Sequence, residues 1–134
     1  MNTFTLHLQS ATQYERIDDA TSFVGEDASG SFGLLPGRAR FMTVLFFGLA
    51  RFRKRQGDWE FLALPGGLAY FTANQLYVNT RRYLRGPDYG QIHAALEQQF
   101  AAEEDELRHV KHSVEHLEQD MFKRLLEIQR GHPA

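Results

Sequence analysis

The chain has 134 residues, enough for one domain or a domain with an appendage. Its formal net charge of −2 excludes a general electrostatic attraction to nucleic acid or anionic lipid. The absence of cysteine excludes a disulfide framework and a thiolate metal site, and the 43% hydrophobic content is that of an ordinary globular protein. The longest apolar stretch, residues 41–50, is too short and too broken to span a bilayer as a helix. Residues 1–6 lack the basic and apolar regions of a signal peptide, so the sequence predicts a soluble chain.

In chain order, residues 3–8 alternate polar with apolar and place Phe4, Leu6 and Leu8 on one face of a half-buried strand. Short strands are predicted over 14–17 and 21–24, followed by a Gly-bounded loop over 25–30. A strand over 31–35 ends at Pro36-Gly37, where Pro presets φ and Gly tolerates positive φ. Residues 41–47 are aromatic and β-branched, and Gly48 marks a turn before a strand over 49–54. Gln56-Gly57-Asp58, Pro65-Gly66-Gly67 and Ala73-Asn74 then separate strands over 59–64, 68–71 and 75–80, with Tyr83-Leu84 a last candidate. Many short strands at regular spacing point to a sandwich or a barrel with antiparallel hairpins.

Composition changes at Gly86-Pro87-Asp88, from Phe, Tyr, Thr and Gly to Ala, Glu, Gln, Leu and Lys. This divides the chain into a β-domain over 1–86 and a helical tail over 87–134. Asp88 is the expected N-cap, and Ile92, Leu96 and Phe100 form an apolar stripe. Residues 101–106 interrupt that stripe, which leaves open a hairpin between two helices or one extended helix. Leu107, Val110, Val114, Leu117, Met121, Leu125 and Ile128 then share one helical face, up to a stop at Gly131 and Pro133. Each contributes roughly 1.5–3 kcal/mol only when buried, so this face needs a host in this chain or in another.

Three patterns suggest chemistry. His112-Ser113-Val114-Glu115-His116 fits the H-x-x-E-H spacing of inverted zinc peptidases, with two ligands and a base one turn apart. Catalytic zinc also needs a third ligand and a walled cleft, which an amphipathic helix does not supply. Residues 25–31 look like a phosphate loop but lack its Lys and are followed by a β-like segment. Arg51, Arg53 and Arg55 share one strand face opposite Ala50 and Phe52. In a chain that is not basic overall, they read as a solvated or edge strand rather than a nucleic-acid patch. Arg81, Arg82 and Arg85 form a second basic cluster beside the junction to the tail.

Two motifs bring a family into view. The first is Gly30-Ser31-Phe32-Gly33-Leu34-Leu35-Pro36-Gly37-Arg38-Ala39. The second is Glu60-Phe61-Leu62-Ala63-Leu64-Pro65-Gly66-Gly67-Leu68, continued by Asn74-Gln75-Leu76-Tyr77-Val78 and closed by Leu84-Arg85-Gly86. In this order, and with a helical tail behind them, they resemble the epsilon subunit of F-type ATP synthases over nearly the whole chain.

The resemblance implies an α+β fold: an N-terminal flattened antiparallel β-sandwich of about ten strands, then a C-terminal segment of two α-helices, hairpin or extended. It implies a non-catalytic subunit of the central stalk, without a cofactor. Its partners would be the gamma subunit, the rotor-ring subunits and the catalytic-head alpha and beta subunits. It would lie at the cytoplasmic face of the bacterial inner membrane, held there only through the complex. Ser31, Phe32, Leu34, Leu35 and Arg38 would contact ring and gamma. The tail stripe would pack on the chain itself or, extended, along gamma and the head, with Lys123, Arg124 and Arg130 meeting acidic surfaces and restraining ATP hydrolysis.

This sequence departs from the family at several positions. Gly90 and His93 replace the acid and the Arg of the pattern that binds ATP, which argues against nucleotide sensing. Ser31 replaces a common Glu in the loop facing the ring, and Arg38 a common His. Such changes suit a divergent branch, such as the alternate, sodium-translocating F-type ATPases, with the coupling ion, proton or sodium, left open. The rival to this reading is a free-standing β-sandwich binding module with a self-associating coiled-coil tail.

Overall fold

The computed structural model describes residues 2–131, with side chains through residue 126. The side chains of Ile128 and Arg130, and Pro133 altogether, lie outside the described residues. Nine strands form: β1 (Phe4–Gln9), β2 (Tyr14–Asp27), β3 (Gly30–Leu34), β4 (Phe41–Leu45), β5 (Gly48–Lys54), β6 (Trp59–Leu64), β7 (Gly67–Thr72), β8 (Gln75–Thr80) and β9 (Leu84–Gly86).

The expected count of about ten and the expected sandwich both require correction. The strands predicted over 14–17 and 21–24 are one 14-residue strand, β2. No Gly or Pro interrupts it before Gly25, and the polar Asp18 and Asp19 are simply exposed positions within it. The strand is irregular at its middle: its pairing with β5 shifts register between Ala20 and Ser22. Its first half pairs with β1, and its second half with β5 and β3. Through β2 the strands join one hydrogen-bonded sheet, ordered β4-β7-β8-β1-β2-β5-β6-β9 with β3 beside β2. The sheet is open, since β4 and β9 end the path without pairing with each other. All pairs are antiparallel except β1 with β8.

Phe4, Phe23, Phe52 and Phe71 are buried at the centre of the main core, with Phe4 edge-on to Phe71 at 5.5 Å. β6 is buried on both faces. Leu62 and Leu64 enter the main core, while Ala63 faces a second cluster with Ile92, Leu96 and Phe100. β5 lies between β2 and β6, so Arg51 and Arg53 project from the solvated face of an interior strand, not from an edge.

The expectation of two helices is also corrected. α1 (Tyr89–Ala95), a π-helical turn (Leu96–Phe100) and α2 (Ala101–Gly131) follow one another without a loop, as one continuous helix. Asp88 caps its start by accepting from the Gln91 N–H at 3.2 Å. Residues 101–106 are Ala, Glu and Asp, mostly strong helix formers with no Gly or Pro, so the stripe breaks there while the backbone does not. Gly86 lets β9 meet α1 closely, because a Cβ there would stand 3.1 Å from the Ile92 side chain. The chain divides into two compact units, Met1–Ala101 and Ala102–Ala134. The first contains the sheet together with α1 and the π-helical turn.

Candidate functional site

The residues expected to contact partners fall on β3 and the loop after it. Ser31 is exposed and pairs across the hairpin with Glu26. Phe32 is half-buried between the rings of Phe23 and Phe41. Leu34 is fully buried and anchors the loop from within, whereas Leu35 is exposed. Gly37 adopts a φ of +82°, and its N–H donates to Asn74 Oδ1 at 2.7 Å, which ties the loop to the β7–β8 turn. The Arg38 guanidinium lies 4.8 Å over the Phe41 ring.

At the opposite end of β4, the β2–β3 hairpin is fixed by Asp27. Its carboxylate accepts from the Ser29 N–H at 2.9 Å and from the Thr43 hydroxyl at 2.6 Å. Hydrogen bonds from Ser29 and Thr43 hold this carboxyl below its ordinary pKa. The Phe46 N–H donates to the Glu26 carbonyl at 3.0 Å, which places the β4–β5 turn against the same hairpin. Sequence reasoning extended the β4 strand through residue 47. The strand ends at Leu45, and Phe46 and Phe47 project from the turn, 51% and 36% exposed.

A row of side chains crosses the outer face of the sheet. Met42 pairs with Tyr70, Tyr70 with Tyr77, Tyr77 with His7, and His7 with Arg16, in strand order β4-β7-β8-β1-β2. His7 stacks on Tyr77 at 4.5 Å and 7°, and Tyr70 on Tyr77 at 6.3 Å. Arg40 Nε donates to the Tyr70 hydroxyl at 3.1 Å. His7 Nε2 lies 2.7 Å from Gln75 Oε1, an acceptor, and Nδ1 lies 2.6 Å from the Tyr14 hydroxyl. That network puts the proton on Nε2 and lets Tyr14 donate to Nδ1. Met42 and Val44 remain 60% and 63% exposed beside the row. The sequence reading missed this face. Its signal was the apolar Met42 and Val44 at the alternate positions of β4 that the core does not need.

At the junction, Arg85 joins Glu15 at 2.6 Å and Glu60 at 3.1 Å, and the Tyr83 hydroxyl donates to Glu15 at 2.8 Å. Burial, then the bond to Glu15, pushes the Tyr83 hydroxyl up to about 12. Burial works against the Arg85 charge, but Glu60 and Glu15 outweigh it and raise its pKa. Arg82 lies 5.2 Å over Phe100 and donates to Gln99 at 3.1 Å. A cleft of about 600 Å3 runs beside α1, lined in part by Arg51, Phe61, Tyr89 and His93. Tyr89 stacks on His93 at 5.6 Å and meets Phe61 edge-on, while Gly90 is exposed and brings no side chain.

In the second unit, Leu107, Val110, Val114, Leu117, Met121 and Leu125 are all exposed, as are Lys123 and Arg124. Phe122 and Leu126 widen the apolar face beyond the predicted stripe. His112 and His116 stack at 6.5 Å, and among the described residues no group of three metal-ligating side chains forms around them.

Comparison with known proteins fits this arrangement of strands. The family described as "ATP synthase, Delta/Epsilon chain, beta-sandwich domain" matches residues 3–86. The chain belongs to this family. The "ATP synthase epsilon chain 2" of Cereibacter sphaeroides is 38% identical over 91 residues, spanning 67% of this chain and 62% of that one. The "ATP synthase epsilon chain" of Prochlorococcus marinus is 33% identical over 98 residues, 72% of each. The fold is similar to a chain in the central stalk/c-ring structure of the Tetrahymena thermophila mitochondrial ATP synthase. That likeness has a TM-score of 0.54 and 13% identity, over 63% of this chain and 66% of that one. The matched region of this epsilon-chain-like protein holds the outer aromatic row, the residue 31–38 loop and the Arg85 network.

Proposed function

We propose that this epsilon-like chain is a non-catalytic rotor-stalk subunit of an F-type ATP synthase, helping to couple ion-driven rotation to ATP synthesis. The observation that carries the reading is the outer face of the β-domain. Family membership identifies the domain, and its filled core lies beneath the exposed Met42 and Val44 and the half-buried Tyr70 and Tyr77, a row that ends at the buried His7. Aromatic and Met side chains that the core does not use are the composition of a protein interface. The partner on this face is the gamma shaft. The end of the domain carrying Ser31 docks on the rotor ring, and the loop through Leu35 and Arg38 extends the gamma contact, with Leu34 and Phe32 supporting it from inside.

The exposed stripe of α2 packs along gamma and the catalytic head, with Lys123 and Arg124 meeting acidic surfaces and restraining hydrolysis. The chain reaches the membrane only through the complex. Gly90 and His93 leave the first helical turn without the acid and the guanidinium of the nucleotide-binding pattern, so this branch works without ATP sensing.

An affinity pull-down from gently solubilised source membranes tests the reading. Recovery of gamma, head and ring subunits together is the expected result. Recovery of the chain alone, or with unrelated proteins, would overturn it in favour of a free-standing binding module.

A further inference from the structure

The α2 helix carries a pair of imidazoles that neither the fold nor the proposed function uses. His112 and His116 are four residues apart, which sets them one turn apart on one helical face. Both are exposed, and their rings are parallel within 9° with centroids 6.5 Å apart. Neither ring has a hydrogen bond or an ion pair among the described residues. Two nitrogens on one tetrahedral zinc ion lie about 3.3 Å apart, and exposed rings whose Cβ atoms are about 5–6 Å apart reach that separation by side-chain rotation alone. The surrounding charge favours a cation, since residues 101–126 hold seven Asp and Glu against four Lys and Arg. At 3.6 residues per turn, the pair lies about 150° around the helix from the centre of the apolar stripe, so an ion held there leaves Leu117 and Met121 uncovered.

We propose that His112 and His116 form a two-imidazole chelate for one divalent transition-metal ion, such as zinc, nickel or copper, on a single helix. Imidazole donors suit these ions and not magnesium or calcium, which take oxygen ligands. Water fills the other positions, because no group of three metal-ligating side chains gathers among the described residues. The site is not catalytic, since it has neither the third protein ligand nor the cleft of a zinc enzyme. Its consequence falls on the helix. Every described side chain from residue 105 to 126 is exposed, so no packing among the described residues holds this stretch helical. An extended chain would carry the two histidines about 13 Å apart, too far for one ion. The chelate therefore forms only where the turn is helical, and the ion stabilises the middle of α2 by mass action.

The test uses the untagged full chain and metal chlorides alone, in a buffer that does not chelate. Calorimetry should find one nickel ion per chain, with copper bound more tightly, cobalt more weakly and magnesium not at all. His112→Ala and His116→Ala should each weaken nickel binding about tenfold or more, since loss of even an outer-shell partner costs a metal site that much. His109→Ala should keep the parent affinity. With free nickel at about ten times Kd, hydrogen exchange over 109–119 should slow about tenfold in the parent and not in either variant, with residues 3–86 unchanged. A parent chain that binds no nickel, or binding that both single variants leave intact, overturns the proposal. One ion per two chains, with a dimer in sedimentation, overturns it in favour of a site between copies. Binding that follows His112 and His116 without slowing exchange overturns the link to helicity.

Discussion

Arg85 grips both carboxylate oxygens of Glu60, with Nε at 3.1 Å and a terminal nitrogen at 3.2 Å, across the β6–β9 pair. The same guanidinium reaches Glu15 on β2 and lies 5.3 Å over Phe52, so one side chain joins three strands at the point where the sheet hands over to the helix. Both partners are mostly shielded, with about a fifth of the Arg85 and Glu60 side chains exposed. Replacing Arg85 by Ala would leave two carboxylates close together and partly desolvated. We expect a loss of about 2 kcal/mol in urea unfolding. Arg85→Lys keeps the charge but not the planar fork and should lose roughly half as much. An Ala variant as stable as the parent would show that the network is solvated.

Stability should fall at both ends of the pH range, for two different residues. Asp27 has a folded pKa below its ordinary value, so its contribution is complete above the unfolded carboxylate range. It is lost as pH falls through the lower folded value. Asp27→Asn should therefore be less stable than the parent at neutral pH, with the gap closing in acid. Tyr83 is raised to about 12, so its contribution is complete below the ordinary tyrosine range and is lost as pH rises toward 12. Tyr83→Phe should flatten the alkaline arm. Urea midpoints measured across pH 2–12 check both, and parallel parent and variant curves would contradict them.

The positions of most strands were legible because turn residues, Gly and Pro at several of them, punctuate the chain. Pro36-Gly37 and Ala73-Asn74 hold the positive φ values that end one strand and start another. Where punctuation is missing, the reading failed. The single strand β2 was read as two, with residues 18–20 left between them, while the backbone runs on through a shift of register. The helix failed in the opposite sense. A break in the apolar stripe at 101–106 is a property of side chains, and the backbone of Ala and Glu has no reason to bend there. The aromatic row as a whole was not legible because the adjacency of β8 and β1 depends on a parallel pairing of residues 70 positions apart. The loop of residues 31–38 was legible from its motif.

Truncation should separate the stability of the β-domain from that of the tail. Ile92, Leu96 and Phe100 cover Ala63 and form a cluster with Phe61, Leu49 and Leu84. A chain ending after Ala101 keeps this cluster and should unfold at the same urea concentration as the full chain. A chain ending after Asp88 loses it, at a cost of about 5 kcal/mol from three buried side chains, and should be marginal or unfolded. Equal stability of the two truncations would mean that the first helical turns add nothing to the sheet.

The apolar face of α2 should matter for exchange in the tail and not for the β-domain. Leu117 and Met121 are 62% and 63% exposed, so an Asp at either position removes no core contact of the first unit. Under the proposed packing along gamma and the catalytic head, the same positions would be buried, and an acid placed there would meet an apolar groove or a like charge. Hydrogen exchange of the assembled complex should show Leu117→Asp and Met121→Asp lowering protection over 102–126 about tenfold or more, with residues 3–86 unchanged, since one buried charge costs more than 1.4 kcal/mol. Hydrolysis by the complex should rise in step if the tail restrains it. Unchanged protection would show that some other face of α2 makes the contact, and Phe122→Asp and Leu126→Asp would be the next pair to measure.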